Sequence, residues 1–592
     1  MDNIQQEEVL GKAYDSKLMG RLLKYASPYW HWLLLCVLLL MAIAGIELAQ
    51  PYIIKIAIDK YIVGNEGIEG LKQLSLLYLV VVILGFLINF IQVYLLNFAS
   101  NKIIYNIREQ LFSHLQNMSL SFFDKNPVGR LVTRVTNDTE TLQEMYTSVL
   151  VNLFKDVFLL LGIVFVMMKL NIRFALLSFS VIPLVLLASA IFRLKIRDAY
   201  REVRVKLAKI NSSLNENITG MKTIQVYRRE LQQMNKFNET NRELLAANNK
   251  ELFIFAVFRP SMEIFRSLGI AIIIWYGGGQ VLKQNIEFGV LFAFISYIKL
   301  FFQPINDLTE KYNILQSAMA SSERIFALLD QTPDIKEAYL PQKVKEFRGE
   351  IEFKNVWFAY KDEDWVLKDI SFKISPGESI AFVGATGAGK SSIINLISRF
   401  YEIQRGEILI DGVNIKELPL EDLRKNIGIV LQDVFIFTGS VRENIILNNH
   451  EIPEEKLLAA AKYVNAHSFI EKLPQQYDEA IMERGSNLST GQRQLLAFAR
   501  ALVFEPSILI LDEATSNIDT ETEELIQDAI GKLIKGRTSI AIAHRLSTIQ
   551  NCDKIIVLHK GEIREVGNHQ SLLQKEGLYY KLYQLQYNVK PA

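Results

Sequence analysis

Two cysteines in 592 residues leave no basis for a disulfide framework. Cys36 lies inside an apolar run and Cys552 far away near the C-terminus, and neither sits in a metal-like or redox-like cluster. Net charge is equally scarce. The 65 Lys and Arg residues against 64 Asp and Glu leave a formal charge of +1, which gives no reason to expect a nucleic-acid partner. The opening stretch MDNIQQEEVLGKAYDSKLMGRLLKY lacks the small-residue cleavage pattern of a secretory signal, so the chain is expected to keep it. Apolar residues, by contrast, are abundant. They make up 50% of the chain and mean hydropathy is positive, +0.16, which is high for a soluble protein. The length also exceeds what one core supports, so several domains are expected.

The apolar residues are not spread evenly. Long apolar stretches fall near 28–57, 73–99, 146–168, 172–193, 252–280 and 286–305. Each is close to or above the ~20 residues a helix needs to cross a bilayer. Soluble core is a poor explanation for so many in one half of a chain, and an all-α transmembrane domain with six helices is predicted. The long connecting segments are basic: 193–250 carries Arg193, Lys195, Arg197, Arg201, Arg204 and further cations, and 100–145 adds Lys102, Arg108, Lys125, Arg130 and Arg134. The opposite loops, such as IVGNEGIEG at 62–70, are short and poor in cations. The basic side is therefore expected to be cytoplasmic, and both termini with it. The helices should continue well beyond the bilayer on that side, with bends at FFDKNPVG (122–129) and NITGMKTIQ (217–225).

Polar residues interrupt the spans at Glu47, Lys155, Asp156, Arg259, Glu263, Arg266 and Lys299. A charge at mid-bilayer costs ~3 kcal/mol on insertion scales, so these side chains should face protein or water. Structural pairing or snorkelling suits Lys155, Asp156 and Lys299. Glu47, followed by Gln50 and Pro51, is the leading candidate for a polar pathway.

From 317 onward the character changes. An amphipathic helix, SAMASSERIFALLD, precedes a charged linker with two prolines, and then strand-like and helix-like segments alternate as in a soluble α/β domain. The expected division is an N-terminal segment 1–27, a membrane domain 28–325, a linker 326–348 and an α/β nucleotide-binding domain 349–592.

Within that last domain, SIAFVGATGAGKSSIINLISRF (379–400) reads as strand, glycine loop and helix. Gly384-Ala385-Thr386-Gly387-Ala388-Gly389-Lys390-Ser391 fits G-x-x-x-x-G-K-[ST]. The glycines let backbone N–H groups close around phosphates at a helix N-terminus, Lys390 reaches the terminal phosphates, and the Ser391 hydroxyl is placed to ligate Mg²⁺. Further on, Ser507-Ile-Leu-Ile-Leu-Asp512-Glu513 describes a buried parallel strand delivering two carboxylates at its C-terminal end, where open α/β sheets bind ligands. Asp512 would support the Mg²⁺ shell and Glu513 would polarise the attacking water. Phosphoryl transfer needs little beyond such positioning and charge neutralisation.

Those two motifs fit many phosphate-loop ATPases; GSNLSTGQ (485–492) narrows the choice. With it the chain resembles the ABC transporter family, specifically an exporter half-transporter of the multidrug and lipid branch, over essentially its whole length. The resemblance implies a signature at Leu488, Ser489, Thr490, Gly491 and Gln492 that contacts the ATP of a second subunit. It implies that Tyr360 stacks on adenine and that Ser392 joins the phosphate loop. Gln432 in IVLQD matches the loop glutamine that senses Mg²⁺, His544 in IAIAHRLST the switch histidine, and Asp519 the D-loop aspartate. Taken singly, Tyr360 could be an edge-strand tyrosine, Gln432 a solvated loop residue and His544 an ordinary satisfied histidine; their order along the chain gives them meaning. The two predicted bends resemble the coupling helices of the family.

The resemblance further implies ATP and Mg²⁺ as ligands, a multi-pass location in the cytoplasmic membrane, no nucleic acid, and a dimer driven by ATP. Its implied activity is alternating-access export of hydrophobic or amphipathic drugs or lipids; the alternative is an ATP-gated channel or regulatory assembly on the same fold. Two departures stand out: LSTGQ where LSGGQ is usual, and SNID where SALD is usual. Thr490 puts a Cβ and a hydroxyl where backbone must approach phosphate closely. It is either harmless drift in a homodimer or the weaker face of a heterodimer, and the heterodimer is the reading preferred.

Overall fold

The computed structural model describes residues 15–64, 67–336, 342, 344, 347–512, 520–542 and 549–587, with backbone alone at 306–310, 520–521 and 586–587. The chain divides into two compact units, Met1–Gln116 with Val128–Gln331, and Asn117–Pro127 with Thr332–Ala592.

The first unit is helical. Among the described residues, five helices are long and apolar enough to cross a membrane: Ser16–Val63, Ile68–Gln116, Val128–Leu170, Ile172–Thr219 and Phe288–Ile305. The sixth predicted stretch, 252–280, is also helical, in Glu230–Ile272 and the turns that continue it to Leu282. Its apolar run is broken by Arg259, Glu263 and Arg266, so length and composition alone do not mark it as a span. Helix Ile68–Gln116 has 49 residues. At 1.5 Å per residue it is about 74 Å long, more than twice the ~30 Å hydrocarbon core.

Local chemistry fixes the ends. Asp15 caps helix Ser16–Ala26 by accepting from the N–H groups of Lys17 at 2.7 Å and Leu18 at 3.4 Å. That helix buries Met19, Leu22 and Ala26, and the buried Tyr146 hydroxyl donates to the Leu22 carbonyl at 2.7 Å. The membrane core gathers around Phe174, whose ring stacks on Phe294 at 4.2 Å. Tyr297 donates to the Leu48 carbonyl at 2.7 Å. Some charged residues of the spans pair across helices, as Lys155 does with Glu47 at 2.7 Å and Lys311 with Asp156. Glu47, the leading pathway candidate, is thus half of a membrane ion pair.

The second unit is α/β. Its strands are β1 (Ile351–Ala359), β2 (Trp365–Ile374), β3 (Ser379–Val383), β4 (Arg405–Ile410), β5 (Val413–Asn414), β6 (Ile427–Val430), β7 (Gly439–Ser440), β8 (Ala480–Ile481), β9 (Ile508–Asp512), β10 (Thr538–Ile542), β11 (Lys554–His559) and β12 (Glu562–Gly567). The main sheet runs β12-β11-β3-β10-β9-β6, parallel except for β12; an antiparallel sheet runs β2-β1-β4-β5. Every residue of β3 and β10 is buried, as expected of parallel strands covered on both faces. Asp553 ties the starts of β3 and β11 together by accepting from the Ser379 N–H at 2.8 Å and hydroxyl at 2.6 Å.

The short helix Leu120–Lys125 and the extended Asn126 before Pro127 form the first predicted bend. This segment belongs to the second unit: Ser121 donates to Asp334 at 2.5 Å, and the Tyr401 hydroxyl donates to the Asp124 carboxylate. The second bend forms where helix Ile182–Thr219 gives way to Met221–Val226 at Gly220.

Candidate active site

Strand register brings the first group of residues together. Phe382 of β3 pairs with Ile542 of β10, which pairs with Asp512 at the end of β9; Val430 of β6 pairs with Leu511. The glycine loop, Asp512 and the chain leading to Gln432 therefore leave the sheet at one edge. That edge is the C-terminal end of parallel strands, where such sheets place ligands.

The loop from Gly384 to Gly389 needs its glycines for different reasons. Gly389, at φ +101°, caps helix Lys390–Ile397 in a left-handed conformation that side chains resist. Gly384 has no room for a side chain, because a Cβ there would lie 2.3 Å from the Leu558 carbonyl oxygen. The crest, Ala385 to Gly387, is exposed, while Ala388, Gly389 and Lys390 are buried. The Lys390 ammonium donates to the Gly384 carbonyl at 2.6 Å and the Ala385 carbonyl at 3.1 Å. Burial pushes its pKa below the ordinary lysine value, and the Asp512 carboxylate opposes that shift. A buried cation whose hydrogen bonds among the described residues go to loop carbonyls is well suited to receive an anion.

Tyr360 follows β1 with its ring half-exposed, set edgewise against Tyr401 at 5.1 Å and Phe358 at 4.7 Å. Its hydroxyl meets the buried Ser392 hydroxyl at 3.0 Å, which fixes the ring beside the loop helix. Gln432 is exposed two residues beyond β6, and Ser391 is exposed at the head of its helix. Ser391, Gln432 and Asp512 offer a hydroxyl, an amide and a carboxylate, the hard oxygen donors that suit Mg²⁺, so the residues present fit that ion.

The signature stands elsewhere in the same unit. It heads helix Thr490–Val503, which packs into a core with Leu488, Leu495 and Ile445, separate from the core around Ala388 and Ile393 behind the loop. Ser489 is the N-cap. Its hydroxyl accepts from the Gln492 N–H at 3.2 Å, and the Gln492 side chain accepts from the Ser489 N–H at 2.9 Å, a reciprocal capping box. Thr490 occupies the first helical position, exposed, with Gly491 buried beneath it. Its hydroxyl accepts from the Arg493 guanidinium at 3.2 Å, and the same guanidinium donates to the Leu488 carbonyl at 2.9 Å.

Three contributors went unnoticed in the sequence. Arg493 holds the signature turn; its only signal was a cation one turn after Thr490. Arg500, on the same helix, donates to the Asn444 carbonyl at 2.8 Å and the Phe435 carbonyl at 2.9 Å, anchoring the loop that follows Gln432. Tyr401 supports Tyr360 and had no signal at all. Glu513, Asp519 and His544 lie outside the described residues.

Both regions of the chain match known proteins. Residues 33–305 match the family model described as the ABC transporter transmembrane region, and 367–516 the one described as ABC transporter. The chain is 40% identical to the uncharacterized ABC transporter ATP-binding protein YknV of Bacillus subtilis, over 98% of this chain and 96% of that one. It is 40% identical to the probable multidrug resistance ABC transporter ATP-binding/permease protein YheH of the same organism, over 88% and 77%. It is 37% identical to the ATP-dependent lipid A-core flippase of Syntrophus aciditrophicus, over 96% and 94%.

Proposed function

Since the chain belongs to the ABC transporter family, as a multi-pass membrane protein with its transmembrane and ATP-binding regions on one polypeptide, we propose that it uses ATP hydrolysis to export hydrophobic or amphipathic drugs or lipids. The observation that carries this reading is the site at the sheet edge: a glycine loop with an anion-seeking buried lysine, beside the Asp512 carboxylate. The multidrug and lipid A-core names of two relatives bear on the cargo class.

In this reading Tyr360 stacks on adenine. The loop from Gly384 to Ser392 wraps the phosphates, and Lys390 exchanges its loop carbonyls for phosphate oxygens. Ser391, Gln432 and Asp512 would hold Mg²⁺, which when bound neutralises phosphate charge. Glu513 orients the attacking water, His544 meets the γ-phosphate, and Asp519 lies at the subunit boundary. With one ATP-binding region per chain, two subunits join head to tail, so each ATP lies between one subunit's loop and the other's signature. Closure and reopening of that pair swing the spans between inward-open and outward-open states, with the ATP-binding regions in the cytoplasm.

Thr490 favours an unequal pair. Its side chain occupies a surface that in this family is backbone against phosphate, and Arg493 holds its hydroxyl there. This chain would supply a good loop face and a weakened signature. Proteoliposomes test both levels. Hydrophobic compounds should stimulate ATP hydrolysis and move in an ATP-dependent way; neither effect would leave the export reading without support. Vigorous hydrolysis by the chain purified alone, abolished by Glu513→Gln, would overturn the unequal pair.

A further inference from the structure

Resting on the reading that Tyr360 stacks on adenine, we propose that Gln404 is a positioning residue for the base. Its carboxamide aims Tyr360, and so sets how strongly the site prefers a nucleotide to a bare triphosphate. The need for such a residue follows from how β1 ends. On one edge, the pairing of β1 with β2 is shifted between Phe358 and Ala359. On the other, β4 begins at Arg405, opposite Trp357, and pairs with nothing further along β1. Regular pairing therefore does not fix the direction in which the chain leaves Ala359 and enters Tyr360.

Gln404 supplies what β4 lacks. Its side-chain oxygen accepts from the Ala359 N–H at 3.0 Å, and its side-chain N–H donates to the Ala359 carbonyl at 2.9 Å. One planar group thus takes both backbone groups of one residue, as a neighbouring strand would. The Gln404 backbone is itself tied down. Its N–H donates to the Trp357 carbonyl at 3.3 Å, and the guanidinium of the next residue, Arg405, lies 5.2 Å from the Trp365 ring and 5.9 Å from the Trp357 ring. The Ala359 carbonyl shares its planar peptide with the Tyr360 nitrogen, so holding it restricts that peptide and with it the direction of the Tyr360 side chain. The far end of the ring is held separately, by the Ser392 hydroxyl at 3.0 Å. Tyr360 is therefore fixed at both ends while 43% exposed, as a stacking platform requires. Among the described residues the Gln404 carboxamide hydrogen-bonds to Ala359 alone, so its loss should be felt by the base and not by the phosphates.

The test is calorimetric titration of the detergent-purified full chain, with Mg²⁺ and either adenylyl imidodiphosphate or inorganic tripolyphosphate. Gln404→Met keeps the length of the side chain and removes both bonds. It should weaken the adenylyl ligand about fivefold, the scale expected when partly exposed hydrogen bonds are lost. Tripolyphosphate should bind as before, a split that a misfolded or merely loosened domain cannot give. In a Tyr360→Ala background the same change should add nothing, because Gln404 acts through the ring. If Tyr360→Ala loses adenylyl affinity while Gln404→Met keeps it, the proposal alone is overturned. Equal losses for both ligands, or a further loss in the double variant, would sink it too. Should Tyr360→Ala bind the adenylyl ligand as tightly as the native chain, the stacking reading itself falls, and the proposal with it.

Discussion

Alanine at three glycines of the phosphate loop should weaken nucleotide binding in a fixed order, because each position resists a methyl group differently. At Gly387 a Cβ would meet nothing within 4 Å, and only the left-handed φ of +81° opposes it. That conformation costs an L-residue about 1 kcal/mol, or about fivefold in Kd. At Gly384 the backbone is unexceptional, but the Cβ would sit 2.3 Å from the Leu558 carbonyl oxygen and 3.2 Å from the Ala388 Cβ. A strand carbonyl cannot rotate away, so the loop must shift at a cost of ~1–3 kcal/mol, roughly 5- to 150-fold. Gly389 combines φ +101° with a Cβ 2.6 Å from the Leu367 Cδ2 atom; the sum is ~2–4 kcal/mol, on the order of 30- to 1000-fold. The assay is titration of the detergent-purified full chain with a fluorescent ATP analogue and Mg²⁺. Binding requires the native loop, so the cost of restoring it appears directly in Kd. Three equal effects, or Gly387→Ala as the weakest binder, would refute the assignment of strain and crowding.

Other consequences can be checked more briefly. The Ser379 hydroxyl and N–H hold the Asp553 carboxyl below its ordinary value of 3.8. Its stabilising effect is therefore present above that value and lost as pH falls through the depressed one. Loss of stability should steepen in the native chain as pH falls below the ordinary value of 3.8, and Asp553→Asn should remove that part of the slope. Burial, together with the bond to Asp124, raises the Tyr401 pKa; Tyr401→Phe should speed hydrogen exchange across 117–127 while leaving ATP affinity unchanged, since the ring against Tyr360 is kept. Glu47→Gln strands Lys155 in a membrane span at a cost of about 3 kcal/mol and should lower the yield of monodisperse protein, with the double change to glutamine at 47 and 155 recovering it.

What the sequence disclosed depended on how far apart the interacting residues lie. The phosphate loop was legible because eight consecutive residues define it, and β3 and β9 because buried parallel strands read as unbroken apolar runs. The order β2-β1-β4-β5 was not, since β1 and β4 pair across about fifty intervening positions with nothing local to announce it. The same reason hid the Glu47–Lys155 pair, 108 residues apart, and the Tyr401–Asp124 bond, 277 apart. Stretch 252–280 reads as a span like the others, because its window is apolar overall and three charges on a helix face dilute that signal without erasing it. The contact of Thr490 with Arg493 follows from helical spacing that becomes visible only once Ser489 is known to be the cap.

The hydrogen bonds from Lys390 to Gly384 and Ala385 have a kinetic implication. The Gly384 and Ala385 carbonyls lie within reach of this ammonium, so in the proposed ATPase cycle they would compete with a departing phosphate for the same protons. Product release then need not expose a bare buried cation to water at any moment; the loop supplies an internal displacing partner. Turnover in this chain would accordingly depend on how readily those two carbonyls reclaim the lysine, and changes that distort them would slow nucleotide exchange even where ATP still binds.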